Sequence, residues 1–335
     1  MEVAGLTAAL TNCIAGEMDA GGAVFVYQMR PQMVVRNLKA IQIMENQPIV
    51  RNIVSIKTPP AEPGFLGPDH TARAVVYREF EHSDPFILLM DDFLDKKDDE
   101  PVGGPHPHAG FETVSLLLEG EIGDETHTMK QGDFQMMTAG SGIVHTEAIE
   151  GRTRMRLLQM WLNLPKANRW TEPRVQDLAF ENAPAAERDG VKTVLYSGSF
   201  AGLRSPVKNY VPVIIADVRL QPGASLSETL PASYNAFLYV IDGDLVVGNE
   251  GKALNVNQIG WLSRGAAGET SSLNVAGAAG ARVVLYAGEP QNDSIVSHGP
   301  FISDHQEEIK DLYSDFRHGK MRHVSTLSEG QRFNY

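Results

Sequence analysis

Two short pairs constrain this chain more than anything else in it: His106-Pro107-His108 and His145-Thr146-Glu147. In a β-strand, residues i and i+2 point to the same face. On an α-helix the same spacing would splay them by about 200°, given 3.6 residues per turn. Two such strands facing each other bring three imidazoles and a carboxylate to one point, so the spacing implies a β fold and a metal site. The flanks also read as strand. Thr113-Val-Ser-Leu-Leu-Leu118 is apolar and partly β-branched. Pro107 has no N–H for a ladder, which places the first pair at a strand start or an edge. Thr138-Ala-Gly-Ser-Gly142 precedes the second pair, and its glycines permit a tight turn.

Three nitrogens and one oxygen suit Fe(II), Mn(II), Ni(II) or Cu(II), or Zn(II) as a closed tetrahedral site. Iron is the expectation, although the donor set alone does not separate it from nickel or manganese. An octahedral ion would keep two positions open for water, substrate or O₂. Cys13 is the only cysteine and lies far off in sequence, so no thiolate competes. The identity of the carboxylate stays open. Glu147 shares a face with His145. Glu112 falls four residues after His108, where unbroken alternation would align it with His106 and His108. Glu147 is the expected ligand, and whichever carboxylate does not bind would support the site or act as a base. His127 sits in a polar turn and is expected to be exposed. His70, His82, His298, His305, His318 and His323 lack partners at ligand spacing and read as structural or surface residues.

A chain of 335 residues has room for two domains, and 31 glycines with 19 prolines fit a turn-rich β protein. An internal repeat supports duplication. Leu116-Leu-Leu-Glu-Gly-Glu-Ile122 echoes Tyr239-Val-Ile-Asp-Gly-Asp-Leu245, each an apolar strand turned by acidic-Gly-acidic. The second copy offers Ser233-Tyr-Asn235 and Gly260-Trp-Leu-Ser-Arg264 where ligands would fall, so no metal is expected there. The organisation expected is an N-terminal extension over 1–43, a metal-binding barrel over 44–163, a crossover over 164–190 and a second barrel over 191–335. The second barrel carries a short C-terminal helix, with Ile309, Leu312, Tyr313 and Phe316 on one face, Ser303 as its cap and Gly319 as its stop.

A net charge of −13 argues against direct nucleic-acid binding. No run of 18 apolar residues exists to span a membrane. One cysteine allows no intramolecular disulfide and fits a reducing compartment. A cytoplasmic location is expected, or a nuclear one in a eukaryote.

The block His106-Pro-His-Ala-Gly-Phe-Glu-Thr-Val-Ser115, with Leu118-Glu-Gly120, Gly132-Asp133, Thr138-Ala-Gly-Ser-Gly-Ile-Val-His-Thr-Glu147 and Leu158-Gln-Met-Trp-Leu-Asn-Leu-Pro165, resembles the pirin family of the cupin superfamily. The resemblance runs from about Arg51 to His323. It implies an all-β bicupin of two antiparallel barrels, with iron in the first, held by His106, His108, His145 and Glu147. It further implies dioxygenase activity on flavonols of the quercetin type, with Glu147 or Glu112 taking the substrate's hydroxyl proton. The alternative it brings is a redox-responsive protein-interaction or transcriptional co-regulator role without turnover. Ala109 and Ser141 replace arginines that many pirins carry, so the mouth of the site is less basic here. Residues 1–43 lie outside the resemblance. Either the protein starts near Met44, or this stretch is an accessory arm that pairs with a subunit edge.

Overall fold

In the computed structural model, residues 49–77, 79–123 and 128–335 are described. The expectations for residues 1–43 and for His127 fall outside them. Two large sheets of the same design dominate the rest. In the first, beyond a short C-terminal strand, Arg332–Asn334, that adds on in parallel, the strand order is Arg174–Leu178, Phe134–Thr138, Phe111–Glu119, Thr153–Asn163, Phe86–Lys96, His70–Tyr77 and Glu62–Pro63. In the second it is Ile53–Lys57, Ile259–Leu262, Asn235–Val247, Ala281–Gly288, Val213–Leu220, Val191–Ser197 and Ala185–Arg188. Smaller strands close each sheet into a barrel. The result is the expected pair of antiparallel barrels with a short C-terminal helix.

The leading strand of each path is exchanged between the halves. Residues 44–57 were assigned to the first barrel from sequence, yet Ile53–Lys57 pairs with Ile259–Leu262, and Ile49–Val50 runs parallel to Ser271–Ser272. The segment expected to be a crossover contains Arg174–Leu178, which extends the first sheet beside Phe134–Thr138. Burial explains the seating. Ile53 packs in the core of the second barrel, while Arg51 is fully buried and donates to the carbonyls of Pro231, Ala232, Tyr234 and Ser263. An alternating strand offers its ladder to any open edge, and nothing local says which edge it takes.

Alternation on Phe111–Glu119 sorts its two faces. Val114, Leu116 and Leu118 meet Tyr196, Phe237, Tyr239 and Tyr286 in a core between the barrels. Ser115 and Leu117 face into the first barrel. At the seam, Arg156 makes two bonds of 2.8 Å to Asp91, and the Tyr239 hydroxyl donates to Asp91 at 2.6 Å. Arg282 grips Asp217 in the same way in the second half. Both pairs are 65 residues apart in sequence, a trace of the duplication.

The helix spans Gln306–Arg317, with Ile309 and Leu312 buried. Its N-cap is His305 rather than the expected Ser303, whose hydroxyl turns instead to the Glu308 carboxylate. Gly319 ends the helix as expected: its φ is +68°, and its N–H and that of Lys320 satisfy the carbonyls of Phe316 and Asp315. Among the described residues no helix is long and apolar enough to cross a membrane.

Candidate metal centre

Strands Val102–His108 and Ile143–Ile149 are antiparallel neighbours, with His145 opposite His106 and Ile143 opposite His108. This register carries the three imidazoles to one point. His145 Nε2 lies 2.8 Å from His106 Nε2 and 3.1 Å from His108 Nε2. Among the described residues Val102–His108 pairs along one side only, so Pro107 deprives no ladder of a donor. The turn before the second strand depends on Gly140, whose φ is +48° and whose missing Cβ would come 2.1 Å from the Thr171 carbonyl oxygen.

The rings are set for coordination. His106 Nδ1 is 2.9 Å from the Gly104 carbonyl, which only accepts, so Nδ1 carries the proton and Nε2 presents its lone pair to the cluster. His108 is buried and packs edge-on against Phe111 and Trp161. Burial first, then the neighbouring His145 and His106, hold its pKa well below the usual imidazole range. It is therefore neutral near pH 7, the form a metal ion needs. Imidazole nitrogens this close repel one another unless a proton or a cation lies between them. The three histidines fit a single divalent ion.

Glu147 stands beside the cluster. Its Oε2 is 4.0 Å from His106 Nε2 and its Oε1 is 4.0 Å from His145 Nδ1, with 30% of the side chain exposed. The tight group of donor atoms consists of the three histidines. Next to it a cavity of about 20 Å³ is lined by Ser115, Ile122, Met129, Gln135, His145 and Glu147. Ser115 and Gln135 escaped the sequence reading. Their signal was parity: both lie on the inward face of their strands.

Glu112 does not share the face of His106 and His108 as alternation predicted. The chain leaves strand geometry at Ala109-Gly110, where Gly110 takes φ +86°, and the parity restarts at Phe111. Glu112 consequently points into the seam with Leu162, where it accepts from the Thr138 hydroxyl at 2.6 Å and lies 3.9 Å from Arg174. Burial, opposed by Thr138 and Arg174, pushes its carboxyl up to about 7 from 4.5. The folded chain thus keeps a proton that the unfolded chain has released. This contribution to stability is fully present below pH 4.5 and declines as pH rises to about 7, by about 3 kcal/mol in all. Glu112→Gln should flatten that decline and leave the variant more stable than wild type at pH 8. Urea unfolding at pH 5 and pH 8 checks this, and parallel wild-type and variant curves would contradict it.

His70 is structural, as expected, but deeply buried. Its Nδ1 accepts from the Leu66 N–H, so Nε2–H donates to Asp92 at 3.0 Å. Burial raises the Asp92 pKa.

The second barrel shows what stands in the place of these four side chains. Ala148 pairs with Gly123 as Ala276 pairs with Val246, and Ile143 takes Arg322 in parallel as Ser271 takes Ile49. This registration sets Glu228, Leu230, Leu273 and Val275 against His106, His108, His145 and Glu147. The sequence had placed the counterparts at 233–235 and 260–264. Leu230, Leu273 and Val275 are core residues of the second barrel.

Two cupin barrels, one of them carrying a convergent three-histidine face, define a bicupin with, among the described residues, one candidate metal centre. The Pirin family model matches residues 69–162, and the Pirin C-terminal cupin domain matches residues 215–322. Human Pirin is 37% identical over 257 residues, which cover 74% of this chain and 86% of that protein. Among solved structures, GK1651 from Geobacillus kaustophilus is 35% identical with a TM-score of 0.67, over 74% of this chain and 99% of that one. A quercetin 2,3-dioxygenase from Acinetobacter baumannii shares the fold at 24% identity and a TM-score of 0.71, over 81% of this chain and 98% of that one. The chain belongs to the pirin family.

Proposed function

We propose that this protein is a mononuclear metal-dependent dioxygenase acting on flavonol-type aromatic substrates, with Fe(II) as its ion and His106, His108, His145 and Glu147 as ligands. The observation that carries this reading is three imidazole nitrogens converging with one side open: the His106 side chain is 38% exposed and that of Glu147 is 30% exposed. When bound, the ion supplies Lewis acidity and a place where a substrate oxygen and O₂ meet. His108 and His145 form the closed, water-excluding side of the site. Glu147, at the open side, takes the proton from the substrate hydroxyl.

The room available shapes the substrate's pose. A cavity of about 20 Å³ holds about one water-sized molecule, whereas drug-sized ligands occupy about 300–1,000 Å³. The ring system therefore rests on the rim beside His106 and extends only a hydroxyl inward. Among the described residues no lysine or arginine lines the cavity, which favours a neutral hydroxylated substrate over an anionic one. Ala109, expected at the mouth, is instead fully buried against Phe301, Ile309 and Leu312, so that position does not set the charge of the opening. The Acinetobacter enzyme's activity is its own; its likeness supports the scaffold, and the open histidine face supports the chemistry.

The test is anaerobic loading with Fe(II), addition of quercetin, and then addition of O₂. Loss of the flavonol absorbance with one O₂ consumed per flavonol is expected, with His106→Ala inert. Protein carrying one iron per chain that takes up no O₂ would overturn the proposal.

A further inference from the structure

The ligand-bearing strands are braced by the far end of the chain. At the first strand, the Ala109 N–H donates to the Pro300 carbonyl at 3.4 Å, and the Ala109 carbonyl accepts from the Ile302 N–H at 3.0 Å. Ala109 is buried under Phe301, Ile309 and Leu312. A Cβ on Gly110 would come 1.9 Å from the Ile302 carbonyl oxygen, so the two backbones are in direct contact. His108, next to Ala109 in the chain, is itself buried.

A buried ion pair seats this segment. Arg169 is wholly buried and donates to the Gly110 carbonyl at 3.2 Å and to Asn163 Oδ1 at 2.9 Å. Its Nη2 lies 3.1 Å from Asp304 Oδ1, and the Asp304 side chain is only 7% exposed. Desolvating such a pair is expensive, and a fold that keeps one gains a fixed arrangement more than stability. At the second strand, Arg322–His323 runs parallel to Ile143–Val144. His323 Nε2 is 3.0 Å from the hydroxyl of Thr146, which lies between His145 and Glu147.

We propose that residues 300–323 are a positioning clamp for the metal centre. Arg169 and Asp304 seat the segment so that its backbone bonds to Ala109 fix the end of the strand that carries His106 and His108. His323 holds the strand that carries His145 and Glu147. Arg169, Asp304 and His323 are positioning residues, and the inference rests on the metal reading above. The physical basis is general: contacts behind the ligating side chains orient them, and loss of such support costs about 10–100-fold in metal affinity.

The experiment compares wild type, Asp304→Asn and His323→Ala as full chains, with two readouts. The first is the histidine ¹⁵N spectrum of the metal-free protein at one pH. The second is titration with Ni(II). In Asp304→Asn the His108 signals should shift, and the Kd for Ni(II) should rise about tenfold or more. His323→Ala removes a partly exposed contact and should fold; it should shift the His145 signals and weaken Ni(II) several-fold. Leu254→Ala, which opens the core of the second barrel, should lower stability and change neither readout. Wild-type spectra and Kd in both positioning variants would overturn the clamp. Should Asp304→Asn fail to fold, His323→Ala decides alone. A wild type that takes up no Ni(II) would count against the metal reading, while the imidazole signals would still decide the clamp.

Discussion

Replacing His145 with alanine should abolish stoichiometric metal binding. His145 is the shared vertex of the cluster, with its Nε2 2.8 Å from that of His106 and 3.1 Å from that of His108. It is also buried, so no water already present takes over its place without reorganisation. Structural zinc sites bind with about 10–16 kcal/mol shared among four ligands. One ligand is then worth about 3–4 kcal/mol, or about 10²–10³ in Kd. Calorimetric titration with Ni(II) or Fe(II) reads this directly. A thermal shift gives a second view, because a metal that binds only the folded chain stabilises it by mass action. Wild type should gain stability with metal, and His145→Ala should not. Glu147→Gln should cost less, since the carboxylate stands 4.0 Å from the nearest cluster nitrogens. A wild-type Kd in His145→Ala would remove the vertex and dissolve the site.

Arg51→Ala should be the most damaging change far from the metal. Arg51 is fully buried and makes five hydrogen bonds: one to Ser271 Oγ and four to the carbonyls of Pro231, Ala232, Tyr234 and Ser263. Burial, and then Arg264, lowers its pKa to about 10, which leaves it charged at pH 7. Truncation strands four carbonyls in a dry site and opens a cavity. The expected loss is about 4 kcal/mol, or roughly 10 °C in Tm for a unit of this size. Urea unfolding and calorimetry measure it. A loss below about 1 kcal/mol would show that the segment around Arg51 does not lock the second barrel. Metal affinity should hardly change, because the contacts of Arg51 lie in the other barrel.

The two histidine-bearing pairs were legible because their information is local. An i, i+2 spacing and a turn of known glycines determine where four side chains point, provided the segment is a strand. The duplicated acidic-Gly-acidic motif was legible as a repeat but not as a turn: Asp242-Gly243-Asp244 lies within the single strand Asn235–Val247, and the strands on either side of Gly120 pair with other strands rather than with each other. Glu112 failed on the i, i+2 rule itself. Counting by twos from His108 crosses Ala109-Gly110, where the strand breaks, and one off-pattern step moved Glu112 from the metal face to the seam. The counterparts in the second barrel were misplaced because strand lengths differ between the copies, and ladder pairing rather than spacing aligns Leu230 and Leu273 with the histidines.

Residues a few positions apart carry their geometry with them, so the convergence of the three histidines, the two-barrel design and the terminal helix could all be read from the chain. The exchange of leading strands, the burial of Arg51 and the bracing of Ala109 by Pro300 could not. Each joins segments about 180–220 residues apart, and an open strand edge accepts any partner whose ladder and burial agree. Packing of the whole chain made that choice.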